Sequence, residues 1–286
     1  PSGRAHALMR WGEGVPPLRS FPASARSGST YETSVVRDRR PADAPTPDGD
    51  LWTRSFVLAD RGSFALLFAA GRLGLPPACG HGHAHALSIA LWFRGLPVIV
   101  DPGTYSYAEQ PWRDYFRSTA AHSTVEVEEV SQSLPESDFA WRAPYSCHAE
   151  RMPSSRGFEA RGRHDGYLRL PQRVRHVRRV RLSCAGLEIE DRVCGRAAFT
   201  ARLHWHLHPS WTIATLDGTI AMLTMGANTL RMEITGPGSL ALHHGSLSPL
   251  SGWFSSAFEQ RTATSTLQVT ARGAAVQWTT IIREVQ

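Results

Sequence analysis

Short apolar or alternating runs, separated by Gly, Pro, Asp and Ser, recur along most of this chain and constrain its fold more than any other feature. Representative runs are Ser63–Phe68, Leu87–Phe93, Val177–Leu182, Leu187–Val193 and Ala201–Leu207. Many short strands at regular spacing are typical of antiparallel sandwiches, and no long stretch keeps a helical period. We therefore predict an all-β fold, an antiparallel β-sandwich with little helix.

The chain is long enough to form one large domain. Its 286 residues, 42% of them hydrophobic, can bury one large core or two modest ones, and all-β domains reach this length as single units. The segment Arg39–Asp50 is rich in Pro, Gly and charge, which indicates a surface loop rather than a domain boundary. The longest apolar runs are too short to span a bilayer, so we predict no membrane span. We treat residues 1–286 as one domain.

The positive charge of the chain has two explanations. All 31 basic residues are arginine, and the formal net charge is +6. Arginine binds carboxylate and sulfate through paired donors, so the charge fits attraction to an acidic polymer. A coding bias for Arg over Lys on a solvated surface explains the same composition at least as well. Only the arginine content points to nucleic acid, and we predict no nucleic-acid partner.

Three histidines stand at alternate positions, His81, His83 and His85, ahead of an apolar run that ends in Asp101 and of His122. Alternate side chains of an extended strand share a face, so this spacing predicts three imidazoles that project together. Nitrogen ligands beside a carboxylate suit zinc or a similar divalent ion. For any one histidine, the commoner alternative is a hydrogen-bonded histidine of the sheet.

Several motifs occur together and in a fixed order along the chain. They are Gly80–Ser88, Asp101–Tyr105, Trp112–Val125, His164–Tyr167, Glu190–Val193 and His206–Pro209. These segments resemble the C-terminal β-sandwich domain of the heparinase II/III-like family, whose members are polysaccharide lyases. The resemblance implies a supersandwich-like fold and favours a periplasmic or secreted location. It also implies a parent protein with an N-terminal α/α-toroid, which we expect to lie outside these 286 residues and to be a partner of the sandwich.

The resemblance assigns roles to the residues around the alternating histidines. His83, Asp101 and His122 are implied as ligands of zinc or a similar divalent ion with a structural and orienting role. His81, two residues before the first ligand, is then the catalytic histidine on the substrate side, for carboxylate neutralisation or proton transfer.

Two positions depart from the family pattern. The family has an acid where this sequence has His85, and an Asn where it has Ser123. His85 is then either an extra ligand or a side chain that fills the space of the missing acid. Either departure could alter metal binding or weaken activity.

Further polar side chains are candidates for contact with substrate: Tyr105, Arg117, His164 and Tyr167. Each has a structural alternative. Tyr105 could be a packed aromatic, and Arg117 could anchor a loop through a salt bridge. His164 and Tyr167 could belong to a capped turn with a packed tyrosine.

A second alternating triplet, His204, His206 and His208, could suggest another metal site. Because the family pattern includes the last two of these histidines, we favour a structural or groove-lining role for them.

These features lead to one principal functional prediction. A lyase that cuts beside a uronic acid must remove the C5 proton, stabilise the carboxylate dianion and protonate the departing O4. We predict such a lyase, acting on an acidic polysaccharide, with the acid for the leaving group on the toroid. The family departures leave open a non-catalytic carbohydrate-binding or assembly module of an exopolysaccharide system. A metal-dependent hydrolase is a weaker alternative, since it requires an open coordination position and a nearby general base.

Overall fold

The computed structural model describes residues 50–53, 55–155 and 157–285. The predicted loop Arg39–Asp50 lies outside these ranges except for Asp50, as does the N-terminal part of the single domain predicted over residues 1–286. Within the described ranges the chain is built mainly of antiparallel strands, which confirms the predicted all-β class.

The first sheet contains five strands that follow one another along the chain. They are β1 (Leu51–Trp52), β2 (Phe56–Arg61), β3 (Phe64–Ala69), β4 (Ile89–Phe93) and β5 (Leu96–Ile99). Each pairs antiparallel with its neighbours in the order β1-β2-β3-β4-β5. Alternate residues of β3 are buried, because alternate side chains of a strand face the core.

The second sheet is larger and draws its strands from the rest of the chain. The remaining strands are β6 (Val125–Val127), β7 (Leu134–Pro135), β8 (Trp141–Arg142), β9 (Cys147–Arg151), β10 (Phe158–His164), β11 (Arg175–Ser183), β12 (Gly186–His206), β13 (Thr212–Asp217), β14 (Ile220–Met225), β15 (Asn228–Thr235), β16 (Ser239–His244), β17 (Ser246–Leu247), β18 (Leu250–Ser251), β19 (Trp253–Ala257), β20 (Gln260–Ala263) and β21 (Ser265–Glu284). The large sheet has the order β13-β14-β15-β21-β12-β11-β10-β9. In addition, β16 pairs with β21 and β6 pairs with β12. In the described ranges, β7-β8, β17-β18 and β19-β20 form two-stranded ribbons.

Two long strands run through the large sheet. The sequence predicts Leu187–Val193 and Ala201–Leu207 as separate strands, but the residues between them continue the same strand, β12. Its pairing with β21 shifts register between Cys194 and Phe199 and then resumes, so a bulge replaces the expected break. One half of β12 pairs with β11 and the other half with β6.

The main core lies between the two sheets. Large side chains of both sheets are buried there, among them Phe68 and Leu91 from the first sheet and Ile189 and Trp205 from the second. Strand β11 of the large sheet contacts β2 and β3 across this core. The arrangement is a sandwich, and the predicted metal ligands His83, Asp101 and His122 lie in its connecting segments.

Helices are short and occur in connections. Helix α1 spans Trp112–Arg117, and single 3₁₀ turns span Thr119–Ala121 and Gly166–Arg169. The first two lie between β5 and β6 and lead directly to His122. No helix in the described part of the chain is long and apolar enough to cross a membrane.

Candidate metal centre

The segment that carries the first histidine triplet is a loop between β3 and β4, so the predicted strand with three histidines on one face is wrong. The backbone turns at His81 and Leu87, where φ is +58° and +61°. A further turn is closed by the His85 N–H, which donates to the His83 carbonyl at 2.9 Å. Because these turns break the two-residue period, His81 is separated from the other two imidazoles.

Side chains from other segments hold this loop, which we call the histidine loop (residues 80–88). They take the place of the backbone pairing that a strand would have. Side-chain donors bind its carbonyl oxygens, and one side-chain oxygen accepts from its backbone. The donors are Trp141 Nε1 to Gly82 (2.9 Å), Thr119 Oγ1 to Ala84 (2.7 Å), Thr124 Oγ1 and Gln132 Nε2 to Ala86 (2.9 and 3.0 Å) and Arg178 Nη1 to Leu87 (2.7 Å), while Gln132 Oε1 accepts from the Ala86 N–H (2.7 Å). The backbone of the loop is therefore fixed by the surrounding fold.

Three imidazoles and one carboxylate converge beside this loop. Ring nitrogens of His83, His85 and His122 all lie within 4.8 Å of one another. His83 Nδ1 lies 3.3 Å from His122 Nε2, and Asp101 Oδ2 lies 3.4 Å from the same Nε2 atom. Two nitrogens bound to one tetrahedral zinc at about 2.0–2.1 Å are separated by about 3.3–3.4 Å. The His83–His122 and Asp101–His122 pairs therefore stand at the spacing that a shared ion requires.

The ring of His122 is oriented for this role. Its Nδ1–H donates to the Ser118 carbonyl at 2.6 Å, which leaves the Nε2 lone pair directed at the cluster. The Asp101 carboxylate faces the same nitrogen, with its Oδ2 3.4 Å from Nε2. An anionic oxygen and an imidazole lone pair thus face the same point, which a cation would stabilise.

His83 and His85 are held in the neutral form that binds metals. Burial and the neighbouring His122 lower the pKa of both rings, that of His85 to about 4. The Nδ1 atom of His85 is buried and has no hydrogen-bond partner among the described residues. The donor set therefore fits a divalent ion, with His85 joining His83, Asp101 and His122. Four protein ligands fill a tetrahedral site, as in structural zinc centres.

His81 lies outside this cluster and is exposed. Its ring centroid is 6.2 Å from that of Tyr107 and 6.1 Å from that of Phe139. Tyr107 in turn contacts Phe258 at 5.8 Å, and the rings of both phenylalanines are half exposed. We call Tyr107, Phe139 and Phe258 the aromatic platform. The catalytic role of His81 stays a prediction.

Two predicted substrate contacts are engaged within the protein. The Tyr105 hydroxyl donates to Glu109 Oε2 at 2.6 Å, and Arg261 lies over its ring at 4.6 Å. Arg117 is buried, binds Asp114 at 2.8 Å and lies 5.1 Å from the centre of the Trp141 ring. These are the contacts of a packed aromatic and of a loop anchor, and direct contact with substrate stays a prediction for both.

The other two predicted contacts, His164 and Tyr167, require correction. Tyr167 is 0% exposed, and its hydroxyl donates to the Val125 carbonyl at 3.0 Å. His164 is 4% exposed, and its Nε2 lies 3.3 Å from His176 Nδ1. A saccharide on the surface cannot reach either side chain, so both belong to the core.

The second histidine triplet does not form a comparable cluster. The rings of His204 and His206 are stacked, 6.1 Å apart and inclined by 13°. His206 Nε2 donates to the Ala120 carbonyl at 3.0 Å, while its Nδ1 accepts from Thr266 Oγ1 at 2.8 Å. The His206 N–H donates to Ser123 Oγ at 3.1 Å, so this departure from the family pattern has a structural contact.

Comparison with known proteins defines the class of this chain. The profile described as heparinase II/III-like, C-terminal, matches residues 47–282. The chain therefore belongs to the heparinase II/III-like family and corresponds to its C-terminal domain. The resemblance read from the motifs is confirmed. No curated protein matches the chain significantly.

Solved structures share the fold at low sequence identity. Heparinase III, the BT4657 gene product, is 18% identical with a TM-score of 0.66 over 83% of this chain and 35% of that chain. Heparan sulfate lyase HepC from Pedobacter heparinus is 15% identical with a TM-score of 0.62 over 82% and 36%. A putative mutarotase, YeaD from Salmonella typhimurium, is 11% identical with a TM-score of 0.51 over 88% and 97%. The chain spans about a third of the heparinase structures, and function must be argued from the site.

Proposed function

We propose that this chain is the β-sandwich domain of a polysaccharide lyase that acts beside a uronic acid of an acidic polysaccharide. Membership of the heparinase II/III-like family supports the reaction class. The observation that carries the proposal is the position of His81, exposed against the aromatic platform and two residues from His83 in the metal centre.

The aromatic platform supports binding of a sugar chain next to His81. Exposed contiguous apolar surface on a soluble protein marks an interaction site, and flat rings can pack against the C–H face of a pyranose. The guanidinium of Arg113 lies 5.0 Å from the centre of the Tyr107 ring. Its Nη1 has no hydrogen-bond partner in the described part of the chain. A positive charge beneath the platform would favour an anionic sugar.

The chemistry assigned to this chain is limited to one wall of a cleft. Elimination requires a base at C5, cationic or hydrogen-bonding groups at the carboxylate, and an acid at O4. His81 would stabilise the uronate carboxylate or transfer a proton at the reacting centre. We assign the O4 acid to the α/α-toroid of the parent, because the hydroxyls of Tyr105 and Tyr167 are engaged inside this chain.

The metal centre has an orienting role in this proposal. Zinc or a similar ion, when bound, would supply a fixed positive charge that joins the histidine loop to Asp101 and His122. With three imidazoles and a carboxylate around it, a tetrahedral ion would keep no open position for water. This donor set argues against a metal-dependent hydrolase, which needs an activated water on the ion.

The test uses the full-length parent with its toroid. We expect it to release the ultraviolet-absorbing unsaturated product from at least one uronate polymer. The His81→Ala substitution should lower kcat by about 10²–10⁴-fold, the range typical of a lost acid–base group, with zinc content unchanged. His148→Ala, at an exposed histidine of β9, is the matched control and should retain activity.

A second candidate is a non-catalytic carbohydrate-binding or assembly module of an exopolysaccharide system. It is favoured by His85, which takes the position of the family's acid in the donor cluster. The parent could bind a glycan through Phe139 and Phe258 and yet release no unsaturated product from any uronate polymer. That result would support this alternative and exclude the proposed lyase activity. Product formation would exclude it.

A further inference from the structure

A buried arginine links the two segments that carry the metal-binding histidines. Arg178 of β11 is 0% exposed, and its Nη1 donates to the Leu87 carbonyl at 2.7 Å and to the Ser123 carbonyl at 2.6 Å. Leu87 lies two residues after His85, and Ser123 directly follows His122. One guanidinium group thus joins the histidine loop to the segment of His122.

Arg178 is itself fixed by a carboxylate on the next strand. Asp191 of β12 is its register partner and accepts from Nε at 2.8 Å and from Nη2 at 2.9 Å. The Trp205 ring lies 5.2 Å from the guanidinium. Burial alone would raise the pKa of Asp191, but the attraction of Arg178 outweighs burial and lowers that pKa to about 2. The pair is therefore a buried arginine–aspartate ion pair with planar, two-point geometry.

The position of Asp191 is fixed in turn by a chain of histidines. Because the Gly166 N–H donates to His164 Nδ1 at 3.2 Å, His164 Nε2 carries the proton and donates to His176 Nδ1. His176 Nε2–H then donates to Asp191 Oδ1 at 2.6 Å. Burial lowers the pKa of both histidines, so the chain is neutral and each polar atom in it has a partner.

A buried ion pair is weak evidence for stability, since removing two charges from water costs several kcal/mol per ion. The specific contacts of this pair are with the backbone of the metal-binding segments. We propose that Arg178, held by Asp191, is a positioning residue that sets the relative placement of the histidine loop and the segment around His122. This inference rests on the proposed metal centre, because its expected consequence is that correct placement of the two segments strengthens zinc binding. It explains why a strand facing the core carries Arg178 at an inward position.

The test replaces both charges at once. The double variant R178M/D191N removes the donors to Leu87 and Ser123, while the amide oxygen introduced by D191N can still accept from His176. We expect the variant to fold and to bind zinc about 10–100-fold more weakly than the wild type in competition with a chelator, the range typical of lost outer-shell contacts. Its metal-free unfolding midpoint should fall less than that of the single variant R178M, which leaves the Asp191 carboxylate buried without its partner.

A matched control and a metal-free readout separate positioning from general damage. R179M/E159Q removes a neighbouring pair, joined at 2.6 Å, that does not touch either segment, and should leave zinc affinity unchanged. In the metal-free chain, amide hydrogen exchange over residues 80–88 and 118–124 should accelerate at least tenfold in R178M/D191N. Exchange in β14 and β15 should not change.

Each outcome decides the proposal. Wild-type zinc affinity and wild-type exchange in R178M/D191N would overturn it. If that variant does not fold, the variant R178K provides the test, because a lysine keeps the positive charge facing Asp191 but lacks the planar guanidinium. Unchanged hydrogen exchange in the two segments of R178K would then refute the positioning role of Arg178. If the wild type itself binds no zinc, the metal centre fails, and hydrogen exchange still tests the role of Arg178.

Discussion

The two histidine triplets have the same spacing in sequence and different arrangements in the structure. The ring centroids of His83 and His85 are 6.2 Å apart, and those of His204 and His206 are 6.1 Å apart. The difference lies in the planes of the rings, which are inclined by 67° in the loop and by 13° in the strand. The rings of His204 and His206 are stacked, and among the described residues they do not form a group of three metal-binding side chains.

The comparison shows what brings the donor atoms of alternating histidines together. In the first triplet the backbone turns, and His122 and Asp101 approach from other segments. In the second triplet, His206 uses both ring nitrogens to bind Ala120 and Thr266. Spacing alone therefore does not bring the donor atoms together; in the first triplet a turn in the backbone and side chains from other segments do so.

The largest expected effect is a difference in zinc content between variants of the two histidine clusters. We expect one zinc ion per wild-type chain and loss of that ion in His122→Ala, because His122 contacts both His83 and Asp101. The loss should exceed the roughly 10–100-fold effect of an outer-shell change. His204→Ala is the control, since neither ring nitrogen of His204 has a hydrogen-bond partner among the described residues. Elemental analysis measures the zinc content of both variants. Loss of zinc in His204→Ala, with zinc retained in His122→Ala, would place the metal at the second triplet instead.

A smaller effect concerns His85, the position where the family has an acid. We expect His85→Ala to weaken zinc binding by about 10–100-fold, comparable to a lost supporting contact, because three donors remain. His85→Asp should recover most of this loss, since a carboxylate is also a zinc ligand. Competition with a chelator gives both affinities. Equal affinity of His85→Ala and the wild type would remove His85 from the ligand set.

The smallest effect is a pH dependence that buried histidines outside the first triplet contribute without any metal. Burial lowers the pKa of His206 and of the core residue His164 well below that of an unfolded histidine. The unfolded chain therefore binds protons below about pH 6.5 that the folded chain does not, and stability must fall as the pH falls.

We expect the unfolding free energy in chelator to drop between about pH 7.5 and 5.5 by on the order of 1 kcal/mol for each such histidine. Urea unfolding at the two pH values measures it, and His164→Gln should show a smaller drop than the wild type. An unfolding free energy that is constant or rises toward the lower pH would contradict the conclusion that these histidines are buried in the neutral form.

The sequence predicts the sandwich well and the site only in part. Alternating burial in β3 and β11 is a local pattern, so those strands could be predicted. Burial also alternates at Arg161, Gly162 and Arg163 of strand β10, but the inward residue is a glycine and gives no apolar signal, so this strand depends on pairing with β9 and β11. The family resemblance predicts His83, Asp101 and His122 as ligands, and the structure brings their side chains together.

Local periodicity could not reveal the turn at His81, because a positive φ at a non-glycine residue leaves no sequence signal. It also could not reveal that Arg178 faces Asp191, because that pairing depends on the register of two strands. A charged residue at an inward position of an alternating strand, such as Arg178 between His176 and Val180, is the one signal that was available.

The central claim is that zinc binds at the first triplet and not at the second, and anomalous scattering tests it most directly. Crystals of the zinc-loaded chain, measured on both sides of the zinc absorption edge, should show one strong anomalous peak. We expect that peak within about 2.0–2.2 Å of donor atoms of His83, His85, His122 and Asp101. A peak beside His204 and His206, or no protein-bound peak at all, would contradict the account.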